Sequence, residues 1–541
     1  MSKLFDELVR KRGFSERFIY PKYEDLPSPW LLPDMRKAVK RIKKAIDQGE
    51  TVIIYGDYDA DGVTASTVLR EALLLAGAKT IETMLPDRFK DGYGMSAEVV
   101  QRAREIGAKL VITVDCGSGN TEIVELLREA GVDVIITDHH ECPTKLPKAV
   151  AVVNPKRKDE TLTDEAGKGL RELAGVGVAF MVTKALVLEG LIPDGQEKWL
   201  LDLVLIGTIC DSMVMNEVNR ILCFYGVKVL GKTRRVGVKE LMKMVGLKTI
   251  TADSIGFQLG PRLNAAGRMT NAQTALELLQ TKSRTKGMEL AKKLEELNNA
   301  RKLQQMLAVR EINEWGIGEE PVLVRCGNWH EGVLGIIAGR LTEDYARPAF
   351  VLSEVEDGIL KGSGRSFGDF NLAEALKACK DTIIGGGGHA GAAGVKVEAC
   401  RLQDFTKAIN DYYRSLSLTD QGRFLEKHAD VEVSSLEDLT LDFWEEVEQL
   451  EPFGVGNEMP VFELKNMFVL DKALMGAEKQ HLKLMVRGDN GKSLKLIAFS
   501  APEQWREVEE GERLDLLIHL EANEWNGLRS IEGRILDLRG C

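Results

Sequence analysis

Short apolar runs alternate with segments of helical period through the first 230 residues. "TVIIYGD" precedes "VTASTVLREALLLAG", "KLVITVDCG" precedes "TEIVELLREAG", and "VDVIITDHHE" comes next. Strands that alternate with helices form a parallel sheet covered on both faces. The pattern therefore predicts an α/β domain over residues 46–230, behind an N-terminal extension over 1–45.

The rest of the chain changes period twice. Strong helix formers from about 285 to 315 predict one long helix, which closes a helical connector over 231–315. Glycine-rich segments follow in a predicted second α/β lobe over 316–416. Residues 425–541 alternate with period two, as in "HLKLMVRG" and "SLKLIAFS", which predicts a small β-barrel. "LTLDFWEEVEQLEPFG", which precedes these strands, predicts a packing helix and lid.

Composition narrows the class of protein. The 541 residues are 44% apolar and 29% charged, which is typical of a globular protein of several domains. Neither a signal-peptide core nor a long uncharged span is present, so we expect a cytoplasmic protein without membrane association. The eight cysteines form no CxxC pair, and a net charge of −11 argues against general coating of nucleic acid.

Acids and imidazoles follow the apolar runs. In parallel sheets the carboxyl ends of strands share one crevice, where ligands bind. We count four such ends, including the apolar run "LVLIGTICD", and they carry Asp57, Asp59, Asp61, Asp115, Asp138, His139, His140 and Asp211. A single aspartate there is more often a helix cap or turn residue. The convergence of all four ends instead favours a site for Mn²⁺ or Mg²⁺, as one ion or as a pair that clamps a phosphoryl group.

The order of the motifs resembles a known family. "GDYDADG", "DCG", "DHHE" and "GTICD" resemble the four motifs of the DHH phosphoesterases. "LGPRLNAAGRM", "NWHEGVLGIIAGRL", "GSGRS", "GGGGHAGAAG" and "PFGVGNEMP" resemble the RecJ family of bacterial exonucleases. The resemblance implies a parallel-sheet DHH domain, a DHHA1-type lobe, an OB-type barrel and a metal-dependent 5′-to-3′ exonuclease of single-stranded DNA. It also implies a role in recombination and repair, with a single-strand-binding protein and a helicase as candidate partners.

The resemblance also implies roles for individual residues. The implied metal ligands are Asp59, Asp61, Asp115, His139 and Asp211. His140 would contact the scissile phosphate, and Asp138 would orient its neighbours. Many members of the wider family carry histidine where this chain has Tyr55, so Asp57 is a candidate replacement or supporting group.

Arginines and glycine-rich loops elsewhere are candidates for binding substrate. Arginine suits phosphate geometry, and glycines let backbone amides approach a phosphate. The candidates are Arg88, Arg262, Arg268, Ser363, Arg365 and His389. We predict that Ser363, Arg365 and Arg268 form a dead end that holds a 5′-terminal phosphate. Trp525 is either a platform for stacking bases or a buried residue of the barrel.

Two other functions use the same residues. A phosphohydrolase of pyrophosphate or a dinucleotide needs the metals but neither the long helix nor the barrel. A scaffold that binds DNA without cutting it would keep the architecture, but the intact acids and histidines argue against that function.

Overall fold

The computed structural model describes residues 1–158, 162, 165–416, 418, 427–525 and 528–540, without the side chains of Glu165, Ala166, Lys168 and Trp525. The helices in this part of the chain are α1 (Lys3–Arg12), α2 (Glu16–Ile19), α3 (Met35–Asp47), α4 (Ala60–Leu75), α5 (Glu98–Glu105), α6 (Thr121–Glu129), α7 (Glu165–Leu170), α8 (Gly175–Leu188), α9 (Leu201–Cys210), α10 (Glu217–Leu230), α11 (Val236–Met244), α12 (Ala252–Ser254), α13 (Gly260–Met269), α14 (Gln273–Gln280), α15 (Arg284–Trp315), α16 (Leu334–Tyr345), α17 (Leu372–Ala378), α18 (Leu402–Ser415) and α19 (Leu441–Glu448).

The strands form three sheets. They are β1 (Val52–Tyr55), β2 (Ile81–Met84), β3 (Leu110–Val114), β4 (Asp133–Thr137), β5 (Ala151–Val153), β6 (Leu323–Cys326), β7 (Ala349–Glu356), β8 (Ile359–Arg365), β9 (Gly385–Gly388), β10 (Ala392–Glu398), β11 (Val431–Glu432), β12 (Phe462–Met475), β13 (His481–Arg487), β14 (Ser493–Ala498), β15 (Arg513–Trp525) and β16 (Leu528–Gly540).

The chain divides into two compact units. One comprises Ser28–Asp211 and Lys228–Leu425, and the other comprises Met1–Pro27, Ser212–Val227 and Glu426–Cys541. The smaller unit is thus assembled from three separate pieces of sequence. No helix among the described residues has the length and hydropathy needed to cross a membrane.

The larger unit begins with the predicted parallel sheet, in the strand order β2-β1-β3-β4-β5. Every residue of β1 and β3 is buried, as expected for strands covered by helices on both faces. Because β1, β3 and β4 are direct neighbours, the loops that follow their carboxyl ends start side by side. The prediction of an α/β domain with one shared edge is confirmed.

One element of this unit differs from the prediction. The apolar run that ends before Asp211 is a helix, α9, and not a fourth strand end. Eight of its ten residues are buried, so its hydrophobicity continues around the whole circumference. An apolar run of that length carries no periodicity to distinguish a buried strand from a buried helix, which explains the error.

A second lobe of the larger unit follows the predicted long helix, α15, of 32 residues. Its sheet has the order β6-β7-β8-β10-β9, with β7, β8, β10 and β9 antiparallel. The described segments of the smaller unit form a closed barrel, because β12 pairs with both β13 and β15. The long helix, the second α/β lobe and the OB-like barrel are confirmed.

The N-terminal helix belongs to the core of the barrel. Leu4, Phe5 and Leu8 of α1 are buried in one hydrophobic cluster with residues of α19 and the barrel strands. Arg12 donates to both carboxylate oxygens of Asp430, at 2.8 and 2.7 Å. The first helix of the chain therefore completes its last domain.

Candidate metal centre and adjoining cationic crevice

Four loops and helix ends bring the predicted acids and imidazoles together. Three overlapping groups have ligand atoms within 4.8 Å of one another: Asp57, Asp59 and Asp115; Asp61, His139 and Asp211; and Asp115, His139 and His140. Two of these groups contain Asp115 and two contain His139. The predicted cluster is therefore contiguous, with room for more than one ion.

Two carboxylates that follow β1 are held in place by hydrogen bonds from backbone amides. Asp59 accepts a hydrogen bond from the Gly62 amide at 3.0 Å and so caps α4. Asp61, in the first turn of α4, accepts from the Gly175 and Val176 amides at 2.6 and 2.9 Å, at the start of α8. These bonds fix the position of both carboxylates.

Buried ligand atoms in the cluster lack partners. Asp57 Oδ1, Asp115 Oδ1 and His139 Nε2 are buried and make no hydrogen bond to any residue that the structure describes. His139 Nε2 lies 3.1 Å from Asp115 Oδ1, 3.5 Å from Asp211 Oδ2 and 3.9 Å from Asp61 Oδ2. Buried polar atoms without partners are costly, and bound divalent cations would provide partners for them. Carboxylate and imidazole ligands fit Mn²⁺ or Mg²⁺.

Crowding shifts the pKa values of these groups. Burial and the neighbouring Asp59 raise the pKa of Asp61 to about 7, and burial with Asp61 and Asp59 raises that of Asp211 to about 8. Burial lowers the pKa of His139 to about 3, which leaves its imidazole neutral and able to bind metal. The carboxylates thus repel one another unless a cation joins them.

His140 differs from its neighbour in charge and exposure. Its Nδ1 lies 2.9 Å from Asp138 Oδ1 and 2.9 Å from Tyr93 Oη. Burial opposes the charge, but the Asp138 hydrogen bond and charge prevail and raise the pKa of His140 to about 9. Asp138 also accepts from the amides of Ser118, His139 and His140, at 2.9, 2.8 and 3.1 Å. Asp138 therefore holds a cationic imidazole at the edge of the cluster.

Tyr55, at the family's histidine position, points away from the cluster. It is buried, and its hydroxyl accepts from the Ser96 amide at 3.2 Å. Asp57, two residues later, lies in the cluster instead.

The larger unit also contains a crevice of about 470 Å³ between its two lobes. Tyr58, Arg88 and Tyr93 line one side, and the second lobe contributes Ser363, Arg365 and His389. Arg365 donates to Ser363 Oγ at 3.2 Å and to the Gly364 carbonyl at 2.8 Å. Sequence reasoning missed Tyr93, which carries no motif signal in "KDGYGM".

Arg88 and Arg365 line this crevice, and Arg268 lies close enough for the three positive charges to repel one another. Arg268 is close enough to Arg88, Arg365 and Asp59 for their charges to interact, and burial with the Arg88 charge lowers the pKa of Arg268 to about 10. Burial and Arg88 likewise lower the pKa of Arg365. None of the three forms an ion pair with a carboxylate in the described part of the chain, although Arg268 interacts with the charge of Asp59.

Arg262 is not part of this crevice. Its guanidinium pairs with Glu295 of α15 and donates to the Gln258 carbonyl at 2.7 Å. The side chain of Trp525 lies outside the described residues, so its two interpretations stay open.

Known protein families match each of the three domains of this chain. Models of the DHH family N-terminal domain, the DHHA1 domain and the RecJ OB domain match residues 51–208, 319–415 and 429–537. The single-stranded-DNA-specific exonuclease RecJ of Bacillus subtilis is 36% identical, over 100% of this chain and 70% of that protein. The Escherichia coli protein of the same name is 33% identical, over 93% and 90%.

Solved structures give the same picture. Crystalline RecJ of Thermus thermophilus with Mn²⁺ matches with a TM-score of 0.83 and 27% identity, over 99% of this chain and 76% of that one. An exonuclease RecJ bound to manganese matches with a TM-score of 0.63 and 31% identity, over 72% and 97%. Because the likeness extends through all three domains in the same order, this chain belongs to the RecJ family.

Proposed function

We propose that the chain is a metal-dependent exonuclease that hydrolyses single-stranded DNA from its 5′ end. The observation that carries the hydrolytic part is the group of buried, unpartnered ligand atoms on Asp57, Asp115 and His139. The names of the relatives support the substrate, since they are single-stranded-DNA-specific exonucleases.

Two of the proposed metal ligands belong to more than one of the ligand groups described above. Asp59, Asp61, Asp115, His139 and Asp211 would hold the metal, and Asp115 and His139 each belong to two of the three overlapping groups. Asp57 takes the place that Tyr55 leaves. When bound, the metal acts as a Lewis acid and supplies an activated water for in-line attack on phosphorus.

The protein's own contribution is charge and position. His140 presents an imidazolium to a nonbridging phosphate oxygen, where charge grows in the transition state. Asp138 keeps that imidazole oriented and protonated, because its carboxylate oxygen lies 2.9 Å from Nδ1. Asp138 is thus a positioning residue.

The proposed polarity, from the 5′ end of the strand, is based on the residues of the crevice. Arg88 and Arg365 line the crevice with positive charge, Arg268 lies close enough to interact with both, and Ser363 adds a hydroxyl beside Arg365. A terminal phosphate carries more charge than an internal diester, so this cluster favours a strand end. His389 lines the same space.

The wider setting follows from the proposed substrate. The OB-like barrel gives the strand a second binding surface. We infer a role in recombination and repair in the bacterial cytoplasm, where a helicase and a single-strand-binding protein produce and cover such strands.

One assay tests the proposal. The full chain is incubated with a single strand labelled at either end, with the matching duplex and with pyrophosphate, each with Mn²⁺, Mg²⁺ or chelator. We expect metal-dependent release of mononucleotides from the 5′ end of the single strand. Release from the 3′ end would contradict the polarity, and hydrolysis of pyrophosphate alone would favour a small-molecule phosphohydrolase.

A further inference from the structure

A second cavity of about 380 Å³ opens in the larger unit, away from the metal centre. It lies at the carboxyl end of α4 and the start of α9, whereas Asp61 and Asp211 lie at the opposite ends of these helices. The 16 residues of α4 span roughly 24 Å at 1.5 Å per residue. The cavity is therefore distinct from the crevice already described.

The floor of the cavity is a closed ion-pair network. Arg235 donates to both carboxylate oxygens of Glu71, at 2.6 and 2.9 Å, and to Asp202 at 3.1 Å. Thr233 donates to Asp202 at 2.6 Å. Both carboxylates of the lining are thus engaged by Arg235, and Asp202 also accepts from Thr233.

The rim, in contrast, carries unpaired positive charge. Arg70, Arg234 and Lys282 line the opening, and none of them has a carboxylate partner among the residues described. Gln280 adds a buried amide nitrogen, Nε2, that makes no hydrogen bond within the described structure. Arg70, Arg234, Lys282 and the Gln280 nitrogen are all hydrogen-bond donors. The rim therefore favours a ligand that carries an anionic group.

The remaining surface suits a flat apolar group. Leu74 and Leu75 are each 42% exposed at the cavity. The Arg234 guanidinium lies 3.5 Å from the centre of the Trp199 ring and so presents a second planar face. Planar bases stack on such aromatic and guanidinium surfaces.

We propose that this cavity binds a nucleoside monophosphate, with the phosphate at Arg70 and Lys282 and the base against Trp199, Arg234 and the two leucines. The volume is that of a small-ligand pocket. This assignment rests on the proposed function, because an exonuclease releases such nucleotides at its metal centre. The site would bind the product of the reaction.

Equilibrium binding to the full-length protein tests the proposal. Calorimetry is done in chelator, which removes metal-dependent binding at the catalytic centre, with deoxyadenosine monophosphate, deoxyadenosine and inorganic phosphate. We expect the nucleotide to bind to this cavity at least about tenfold more tightly than either fragment, since both halves of the cavity contribute.

Charge reversal separates this cavity from other cationic surfaces. The double variant Arg70→Glu, Lys282→Glu should weaken nucleotide binding at least about tenfold. Lys232→Glu, an exposed change in the loop before Arg234 that does not line the cavity, should leave binding unchanged. Trp199→Leu should weaken binding of the nucleotide without changing that of phosphate, and thermal melting checks that each variant is folded.

Three results would overturn the site: no binding in chelator, equal binding by the double variant, or phosphate binding as tightly as the nucleotide. Nuclease assays of the same preparations with Mn²⁺ report separately on the proposed function. An inactive wild type that still binds the nucleotide would contradict the nuclease and leave the cavity standing.

Discussion

The backbone of Asp115 adopts a conformation that residues other than glycine seldom take. Its φ of 60° lies in the left-handed region, which costs a residue with a Cβ atom about 1 to 2 kcal/mol. The turn directly follows β3 and directs the carboxylate into the cluster rather than along the strand. Asp115 therefore combines a strained backbone with a buried carboxylate oxygen, Oδ1, that has no hydrogen-bond partner among the described residues.

Replacing Asp115 with alanine should lower kcat on single-stranded DNA roughly a thousandfold or more, because several kcal/mol of charge stabilisation depend on the metal. The fold should persist, since the change also removes buried repulsion. Asp47→Ala, at the exposed end of α3, is the matched control. Full activity of Asp115→Ala, with circular dichroism like that of wild type, would refute the metal assignment.

At the crevice, Arg365→Ala should reduce kcat/KM for a 5′-phosphorylated strand more than for a 5′-hydroxyl strand. The expected difference is roughly 1 to 3 kcal/mol, which is typical of a hydrogen bond to a charged group. Arg262→Ala is the matched control, because Arg262 pairs with Glu295 and its loss should affect both strands equally. An unchanged ratio for Arg365→Ala would remove Arg365 from recognition of the strand end.

Among elements, α8 and α9 approach the acidic loops closely because each carries a glycine at the contact. A Cβ atom at Gly175 would lie 2.4 Å from Asp115 Cβ, and one at Gly207 would lie 2.7 Å from Asp61 Oδ1. Neither distance is possible for real atoms. The positions of the candidate ligands Asp115 and Asp61 therefore require glycine, without a Cβ atom, at residues 175 and 207.

We expect Gly175→Ala to weaken Mn²⁺ binding and to lower nuclease activity at least about tenfold, because α8 must move away from Asp115. Gly119→Ala is the control in the same region, since a Cβ atom there meets nothing within 4 Å. Titration with Mn²⁺ measures the affinity directly. Equal affinity in the two variants would show that the contact at Gly175 is unimportant.

The strands and the acids that follow them were predictable from sequence. Apolar runs that alternate with helical segments indicate a parallel sheet, and residues directly after such runs lie at its carboxyl edge. Asp57, Asp115 and Asp138 follow strands that are adjacent, so the common edge brings them together. The glycine contacts were not predictable, because they join helices to loops far away in sequence. Arg262 shows the same limit, since only the fold reveals that Glu295 neutralises it.

At the scale of the whole molecule, the smaller unit is discontinuous. Arg220 illustrates the arrangement: it is fully buried and donates to the carbonyls of Gln449, Leu450 and Glu451, at 2.6, 2.6 and 2.8 Å. Burial lowers its pKa to about 10. A sequence pattern identified the barrel, but long-range partners such as Arg220 and α1 leave no periodic signal.

Phe5→Ala should destabilise the smaller unit by about 3 to 5 kcal/mol, the usual effect of removing a buried aromatic ring. Phe5 is fully buried in the barrel cluster. Binding of long single strands should fall, while Mn²⁺ titration should match that of wild type. Phe5→Leu, which keeps most of the volume, should cost less, and equal urea midpoints for Phe5→Ala and wild type would contradict the packing of α1.

The use of α1 in the barrel also constrains the order of events during synthesis. A ribosome makes α1 before the barrel strands that bury Leu4, Phe5 and Leu8, and most of the larger unit lies between them in the sequence. The nascent helix must expose these three side chains until the barrel strands are made, and translation adds only about 5 to 20 residues per second. We therefore expect chaperones that bind nascent chains to engage α1, and termination before the barrel strands to yield an aggregation-prone fragment.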